Sequence, residues 1–308
     1  MEFIPPNEDR QIAIFEDHGL TVDKVKEAEE ELMQWLLEQP HLPDHIDENV
    51  LTSFAMCCRK GIEDSKKRLD AYFTVRAMFP VLYENRDPLS DEMVENCKTI
   101  AHGMCPGYTP ECCRVYVAKL MNADVDVFNF NALVRRLLLI QDLTMMRDLK
   151  SGIYLVADFT GVTVHHFLKL SISQARDLMF CIQNVYPLRV KKMVFINVKP
   201  FCKTLLERMV IPLLKKKIAN RTHFFADTKK VSKVVPVEIL PRDMGGNGPS
   251  SDEVNDFWNN ELALYSDWIS NEGSTTSDES KREGTSKLSL TEFPRNTHPL
   301  KAPGCSVM

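Results

Sequence analysis

The sequence predicts an α/β protein, with a small helical domain leading into a domain built on a mostly parallel sheet. Residues 1–50 hold fourteen acids and three bases, and their apolar residues recur at helical spacing. From residue 114 onward, short β-branched and aromatic runs alternate with longer amphipathic stretches, the strand–helix–strand pattern of a parallel sheet. Two runs, Ile153–Phe159 and Lys192–Val198, are apolar almost throughout, as strands covered on both faces should be.

In chain order, Val22, Val25, Ala28, Leu32, Trp35 and Leu36 mark a helix over Val22–Gln39, with Thr21 as its N-cap and Pro40 as its stop. A short helix is expected over 46–58 and a longer one over Ile62–Phe79, ended by Pro80. Glu84–Asp91 is a polar connection. Arg114–Leu120 is a strand, Ala132–Met146 an apolar helix, and Ile153–Phe159 a buried strand after Gly152. Ser171–Tyr186 is a helix, Lys192–Val198 a strand, and Phe201–Ile218 a helix containing Pro212. Arg221–Ala226 and Val234–Leu240 are shorter strands, and Ser251–Ile269 is a last amphipathic helix. From Asn271 to the end the chain is polar and almost free of large apolar residues, the composition of a disordered tail. The expected divisions are 1–90, 91–250, 251–270 and 271–308.

Composition narrows the function. The chain has 308 residues, 44% hydrophobic and 26% charged, enough for a sizeable core. No run approaches the ~18–20 apolar residues of a transmembrane helix. The first residues, MEFIPPNEDRQ, lack the basic and apolar regions of a secretory signal, so a cytoplasmic protein is expected. Nine cysteines, two pairs of them adjacent, suit reduced thiols rather than a disulfide scaffold. His102, Cys105, Cys112 and Cys113 match no common zinc spacing, and no metal or other cofactor is expected. Asp158, His165 and His166 come without a nucleophile elbow or a phosphate-binding glycine loop, and the chain is not read as an enzyme.

One stretch stands apart. Tyr186–Lys233 holds thirteen Lys/Arg and two acids, Glu207 and Asp227, a local net of +11 in a chain whose total is −5. Within it Phe201, Leu205, Met209 and Leu213 stand four apart, with Leu206, Val210 and Leu214 in the adjacent row. Pro212 interrupts this greasy helix and Lys215-Lys216-Lys217 follows it, a combination that suits a lid docking on an anionic interface. No helix-turn-helix, zinc finger or RNP signature accompanies the bases, so nucleic acid is not expected as a partner.

Five ordered blocks carry a family resemblance: Gly152–Gly161 (GIYLVADFTG), Tyr186–Lys191 (YPLRVK), Phe195–Asn197, Ile211–Ile218 (IPLLKKKI) and Ile239–Gly246 (ILPRDMGG). Over about residues 95–250 the chain resembles the CRAL-TRIO lipid-binding domain, in the branch of α-tocopherol transfer and retinaldehyde-binding proteins. Upstream, Leu51–Phe54 through Arg76 looks like the small helical domain that precedes it. The family's arginine-rich helical motif is replaced here by Leu51–Cys58 (LTSFAMCC) followed by Arg59-Lys60, with Ser53, Met56 and Cys58 where arginines are usual. The acid usual before Gly161 is Thr160.

The resemblance implies an internal apolar pocket, one bound lipophile, and a mobile gate helix at Phe201–Leu214. Expected pocket residues are Ile153, Leu155, Phe159, Leu170, Leu178, Ile182 and Met193, with Phe201, Leu205, Met209 and Leu213 from the gate. It also implies phosphoinositide headgroups in a basic cleft of Arg189, Lys191, Lys217 and Arg221, with Arg59 on the helical-domain side. The expected activity is binding and transfer of a tocopherol- or retinoid-like molecule by a monomer that associates transiently with membranes. Phosphatidylinositol exchange and a non-transporting phosphoinositide-binding adaptor are the alternatives. The chosen pocket residues are nearly all apolar, which disfavours a buried phospholipid headgroup.

Overall fold

The computed structural model describes residues 1–283. The acidic N-terminal region is helical, and its side-chain caps define most of the helix starts. The helix α1 (Glu8–Asp17), which the sequence reading left unassigned, opens at Asn7, whose side chain accepts from the Arg10 N–H. The helix α2 (Val22–Leu37) starts at Thr21 as expected and buries Val25, Ala28, Leu32 and Leu36. It is followed by α3 (Glu48–Ala55), α4 (Ile62–Met78), α5 (Pro80–Tyr83) and α6 (Asp91–Thr99). Asp47 caps α3 and Ser90 caps α6 through their side chains, each satisfying N–H groups the first turn leaves unbonded.

Five strands form one sheet in the order of the chain: β1 (Ile100–Met104), β2 (Cys113–Leu120), β3 (Gly152–Asp158), β4 (Val190–Ile196) and β5 (Thr222–Phe224). The first pair is antiparallel and the remaining three are parallel. The connections run through α7 (Phe130–Arg147), then α8 (Val164–Leu168) and α9 (Ile172–Phe180), then α10 (Pro200–Met209) and α11 (Lys216–Ala219). Residues of α7, α8, α9 and α10 all reach one face of the sheet, that of Tyr116, Leu155 and Met193. The helix α12 (Ser251–Leu264) crosses the edge strand β1, where Trp258 lies over Gly103 and donates its indole N–H to the Met104 carbonyl at 2.8 Å. A β-carbon at position 103 would stand 2.2 Å from the Trp258 ring, so only glycine fits there. The short helix α13 (Ser266–Ser270) follows. Among the described residues no helix is long and apolar enough to cross a membrane.

A buried charge group ties the helical region to the sheet domain. Asp142 on α7 accepts hydrogen bonds from Tyr72 at 3.1 Å and from Arg86, and pairs with Arg76 at 2.9 Å. One carboxylate does not balance two guanidiniums. The Gly273 carbonyl adds one more acceptor, taking hydrogen bonds from Arg76 at 2.6 Å and Arg86 at 3.3 Å.

That contact corrects the tail expected over 271–308. Residues 271–283 pack on the helical region, with the Ser277 N–H donating to Phe73, the Asp278 N–H to His41, and Arg282 paired to Asp70 at 2.8 Å. Polar composition misled because this segment is held by hydrogen bonds and ion pairs rather than by apolar burial; residues 284–308 lie outside the described region. The strand expected over Val234–Leu240 does not form. Val235 and Leu240 are buried, but their N–H groups bond locally, to Val231 and to Pro236, in a run of tight turns. The single helix expected over Phe201–Ile218 is three pieces: α10, a 3-10 turn at Ile211–Leu213, and α11. Pro212 has no N–H for the α-helical ladder, and the chain tightens around it.

Candidate functional site: an apolar cavity and a basic cluster

Between the sheet and α7–α10 lies a cavity of about 280 Å³. The parallel register sets two rows of side chains across its floor. Tyr116, Leu155 and Met193 form one row, and Ala118, Ala157 and Phe195 the next. Space exists because two neighbouring strands present alanine, where a filled core would carry Val, Ile or Leu. The roof comes from Phe130, Leu133 and Leu137 of α7, Phe167 of α8, Ala175, Leu178 and Met179 of α9, and Leu206, Met209 and Val210 at the C-terminal end of α10 and just beyond.

Of the eleven expected pocket residues, seven line the cavity: Leu155, Phe159, Leu170, Leu178, Ile182, Met193 and Met209. Four do not. Ile153 shares the face of Leu155 but stands at the start of β3, buried in the core beyond the cavity. Phe201 opens α10 and is 39% exposed, and Leu205 and Leu213 pack on the core outside the lining. Phe201, Leu205, Met209 and Leu213 stand four apart in the sequence. Each such step overshoots a 3.6-residue turn by roughly 40°, so the row spirals away from any fixed face. The cavity takes Leu206 and Val210 from the adjacent row instead. The contributions of α7 and of Tyr116, Ala118 and Ala157 went unassigned, although the alternation of β2 and β3 contained them.

The segment after α10 is fastened through one glutamine. Gln183 sits in a π-helical turn, Cys181–Val185, that ends α9. Its Nε2 donates to the Leu213 carbonyl at 3.0 Å and its Oε1 accepts from the Lys215 N–H at 2.6 Å.

The five expected phosphate-site cations form a group. Lys217 is held below the ordinary lysine value, chiefly by Arg221, then by partial burial, and then by Arg189, Arg59 and Lys191. One internal anion enters the group. Asp17, at the end of α1, takes Arg189 at 2.8 Å and Lys191 at 2.9 Å. Partial burial raises the Asp17 carboxyl, but the Lys191 hydrogen bond and the charges of Lys191 and Arg189 hold it below its ordinary range. Among the described residues Arg59, Lys217 and Arg221 form no ion pair; Arg221 donates to the Val190 carbonyl at 3.2 Å. Asp17 was missed because 172 residues separate it from Arg189, and nothing in the local sequence pairs them.

Exposed apolar side chains also collect beside the gate. Leu168 is 76% exposed and Val164 44% exposed, both on α8, which contacts α10, the helix that carries exposed Phe201. His102, placed in a metal-like group by sequence, hydrogen-bonds Tyr116 and Asn96. Among the described residues no cluster of three or more His, Cys, Asp or Glu is arranged to hold a metal. Asp158 accepts from the Thr160 N–H at 2.8 Å and from Asn197 at 2.9 Å, closing the turn after β3.

Residues 101–246 match the CRAL/TRIO domain family, and residues 21–93 match a family described as Pinta-like, UBA domain. A Homo sapiens protein named alpha-tocopherol transfer protein-like is 25% identical over 271 residues, covering 81% of this chain and 77% of its own. The Mus musculus protein of that name is 25% identical over 261 residues, covering 78% and 74% respectively. Among solved structures, the crystal structure of Sfh5 aligns over 87% of this chain and 100% of its own, at 13% identity and a TM-score of 0.45.

Proposed function

We propose that this chain, whose residues 101–246 match the CRAL/TRIO domain family, known for binding and transferring lipophilic ligands, carries one small hydrophobic molecule and releases it at phosphoinositide-containing membranes. The observation that carries the reading is the cavity, because its wall is almost wholly apolar and sits under a broken helix. An aqueous metabolite would find almost no polar partners there. A lipophile burying a few hundred Å² would be held by several kcal/mol, at roughly 25 cal/mol per Å². That retention makes release dependent on a trigger.

The proposed trigger is the cleft of Arg59, Arg189, Lys191, Lys217 and Arg221. Lysine and arginine near an anionic bilayer each add about 1 kcal/mol of attraction. Exposed Val164, Leu168 and Phe201 supply apolar groups for the interface beside the gate. Headgroup binding that favours an open gate would shift the population toward release where phosphoinositide is abundant. The mobile element is the 209–215 segment, fastened through Gln183.

Mass spectrometry of lipid extracted from natively purified protein tests the cargo. One apolar lipid at near one-to-one stoichiometry supports the carrier. A phospholipid would indicate exchange, and nothing bound after exposure to a mixed lipid extract would leave an adaptor. Charge reversal at Lys217 and Arg221 should slow transfer to phosphoinositide vesicles several-fold with ligand retention intact; unchanged transfer would remove the trigger from the proposal.

A further inference from the structure

The π-helical turn Cys181–Val185 ends α9, and a helix end leaves its last carbonyls without helical partners and attracts cations. Two cations reach it. Arg68, on α4, donates to the Gln183 carbonyl at 3.2 Å and to the Tyr186 carbonyl at 3.0 Å. Lys215, three residues beyond Pro212, places its ammonium 3.1 Å from the same Gln183 carbonyl and 2.5 Å from Asn184 Oδ1. Lys215 is thus tied to the turn twice, because its backbone N–H also bonds the Gln183 side chain.

The two acceptors of that ammonium are neutral. A phosphate oxygen is ionised, and an ion pair with hydrogen bonding holds an ammonium more strongly. Lys215 is exposed, so an anion can reach it. It also stands beside the cationic cluster. Lys217 follows two residues later. Burial pushes the Cys57 thiol up to about 11, and Arg68 and Arg189 both oppose that rise. The turn that Arg68 and Lys215 share therefore adjoins Arg189.

We infer that Lys215 is a positioning residue for the 209–215 segment: its ammonium pins the segment to the end of α9, and a phosphate group bound at the neighbouring cluster draws the ammonium away and loosens the segment. Lys215 is not one of the five cations of the proposed cleft. The inference rests on the reading of 209–215 as the mobile element, and it supplies the step between headgroup binding and opening. Asn184 Oδ1 and the Gln183 carbonyl are the groups the anion competes with.

The test measures amide hydrogen exchange at Leu213, Leu214 and Lys215 in the full chain, with free inositol trisphosphate and with phosphatidylinositol-bisphosphate vesicles. Saturating trisphosphate should speed exchange at Lys215 by about fivefold, the equivalent of roughly one hydrogen bond. In Lys215→Met these amides should exchange faster without anion and no longer respond to it. Lys215→Arg should restore the response. Asn184→Leu removes an acceptor and no charge, so by linkage it should bind trisphosphate about twofold more tightly. Trisphosphate that fails to bind, or that binds and leaves these amides unchanged, would overturn the inference. So would wild-type affinity in Asn184→Leu, or a response to vesicles alone, which would place the trigger in the bilayer rather than in the phosphate. Loosening without faster release of a bound hydrophobic probe would keep the role of Lys215 and overturn the gate reading instead. Should Lys215→Met fail to fold, the wild-type exchange and the Asn184 variant still decide.

Discussion

The Asp17 carboxylate lies 2.9 Å from Lys191 Nζ, and the same oxygen lies 2.8 Å from Arg189. On the proposed phosphoinositide reading, an acid from the first helix occupies the position a phosphate oxygen would take. Its pairs are partly exposed, so they are individually weak, but any anion entering the cleft must displace them. Asp17→Asn should raise affinity for phosphatidylinositol-bisphosphate vesicles by about two- to fivefold, with a steeper loss on adding salt. Vesicle co-sedimentation across a salt series measures it. Weaker binding by the variant would mean that Asp17 organises the cleft rather than competing for it.

Filling the cavity should separate cargo binding from docking. Ala157 faces the space, with Ala118 and Phe195 as its neighbours in register. Added volume at such a site is tolerated better than in a filled core, where overpacking costs roughly 1–3 kcal/mol. Ala157→Phe should keep its fold by circular dichroism, lose at least about tenfold in retention of a hydrophobic probe, and bind vesicles as the wild type does. Undiminished probe retention would place the ligand elsewhere.

The cavity floor was legible in sequence because strand periodicity is strict. Leu155 and Phe159, or Met193, could be placed on one face from alternation alone. The roof was less so. A helix on a sheet can be rotated by a third of a turn without changing its apolar count, and packing decides whether Leu205 or Leu206 points inward. The cationic cluster around Arg189 and Lys217 was legible as charge density, but the acid paired with it was not. Asp17 belongs to a helix whose start depends on Asn7, and whose apolar residues Ile14 and Phe15 are too few for a clear periodic signal. The segment 271–283 was misread because no composition rule registers a carbonyl such as Gly273 placed between two buried arginines.

Removing that segment should cost stability. Truncation after Ser270 takes away the Gly273 carbonyl from Arg76 and Arg86 and takes Arg282 from Asp70. Buried charged donors that lose an acceptor cost about 1–3 kcal/mol each. The truncated chain should unfold in urea with a midpoint lowered by the equivalent of about 2–4 kcal/mol. Restoring residues 271–283 alone should recover most of the loss, since all of these contacts lie within them. Recovery only with residues 284–308 would contradict this account.

His18, which follows Asp17, should make stability depend on pH. Its ring nitrogens lie 3.1 Å from the Met56 carbonyl and 3.2 Å from the Ser151 carbonyl. Burial, then the Arg189 charge, lowers its pKa to about 4, against the two carbonyls and Asp17, which raise it. The unfolded chain, with a histidine near pKa ~6.5, binds more protons between pH 6.5 and 4 than the folded one does. The contribution is therefore complete above about pH 6.5 and is lost as pH falls toward 4. Between pH 7 and pH 5 this one group should remove about 2 kcal/mol. His18→Gln keeps a donor but does not titrate. Its stability at pH 7 should be lower than that of the wild type, and its further loss by pH 5 smaller by about that amount. Urea unfolding of both proteins at the two pH values gives the comparison. Parallel losses would mean that folding leaves the His18 pKa unshifted, and a smaller loss in the wild type that the ring is protonated in the folded protein, donating to both carbonyls beside Arg189.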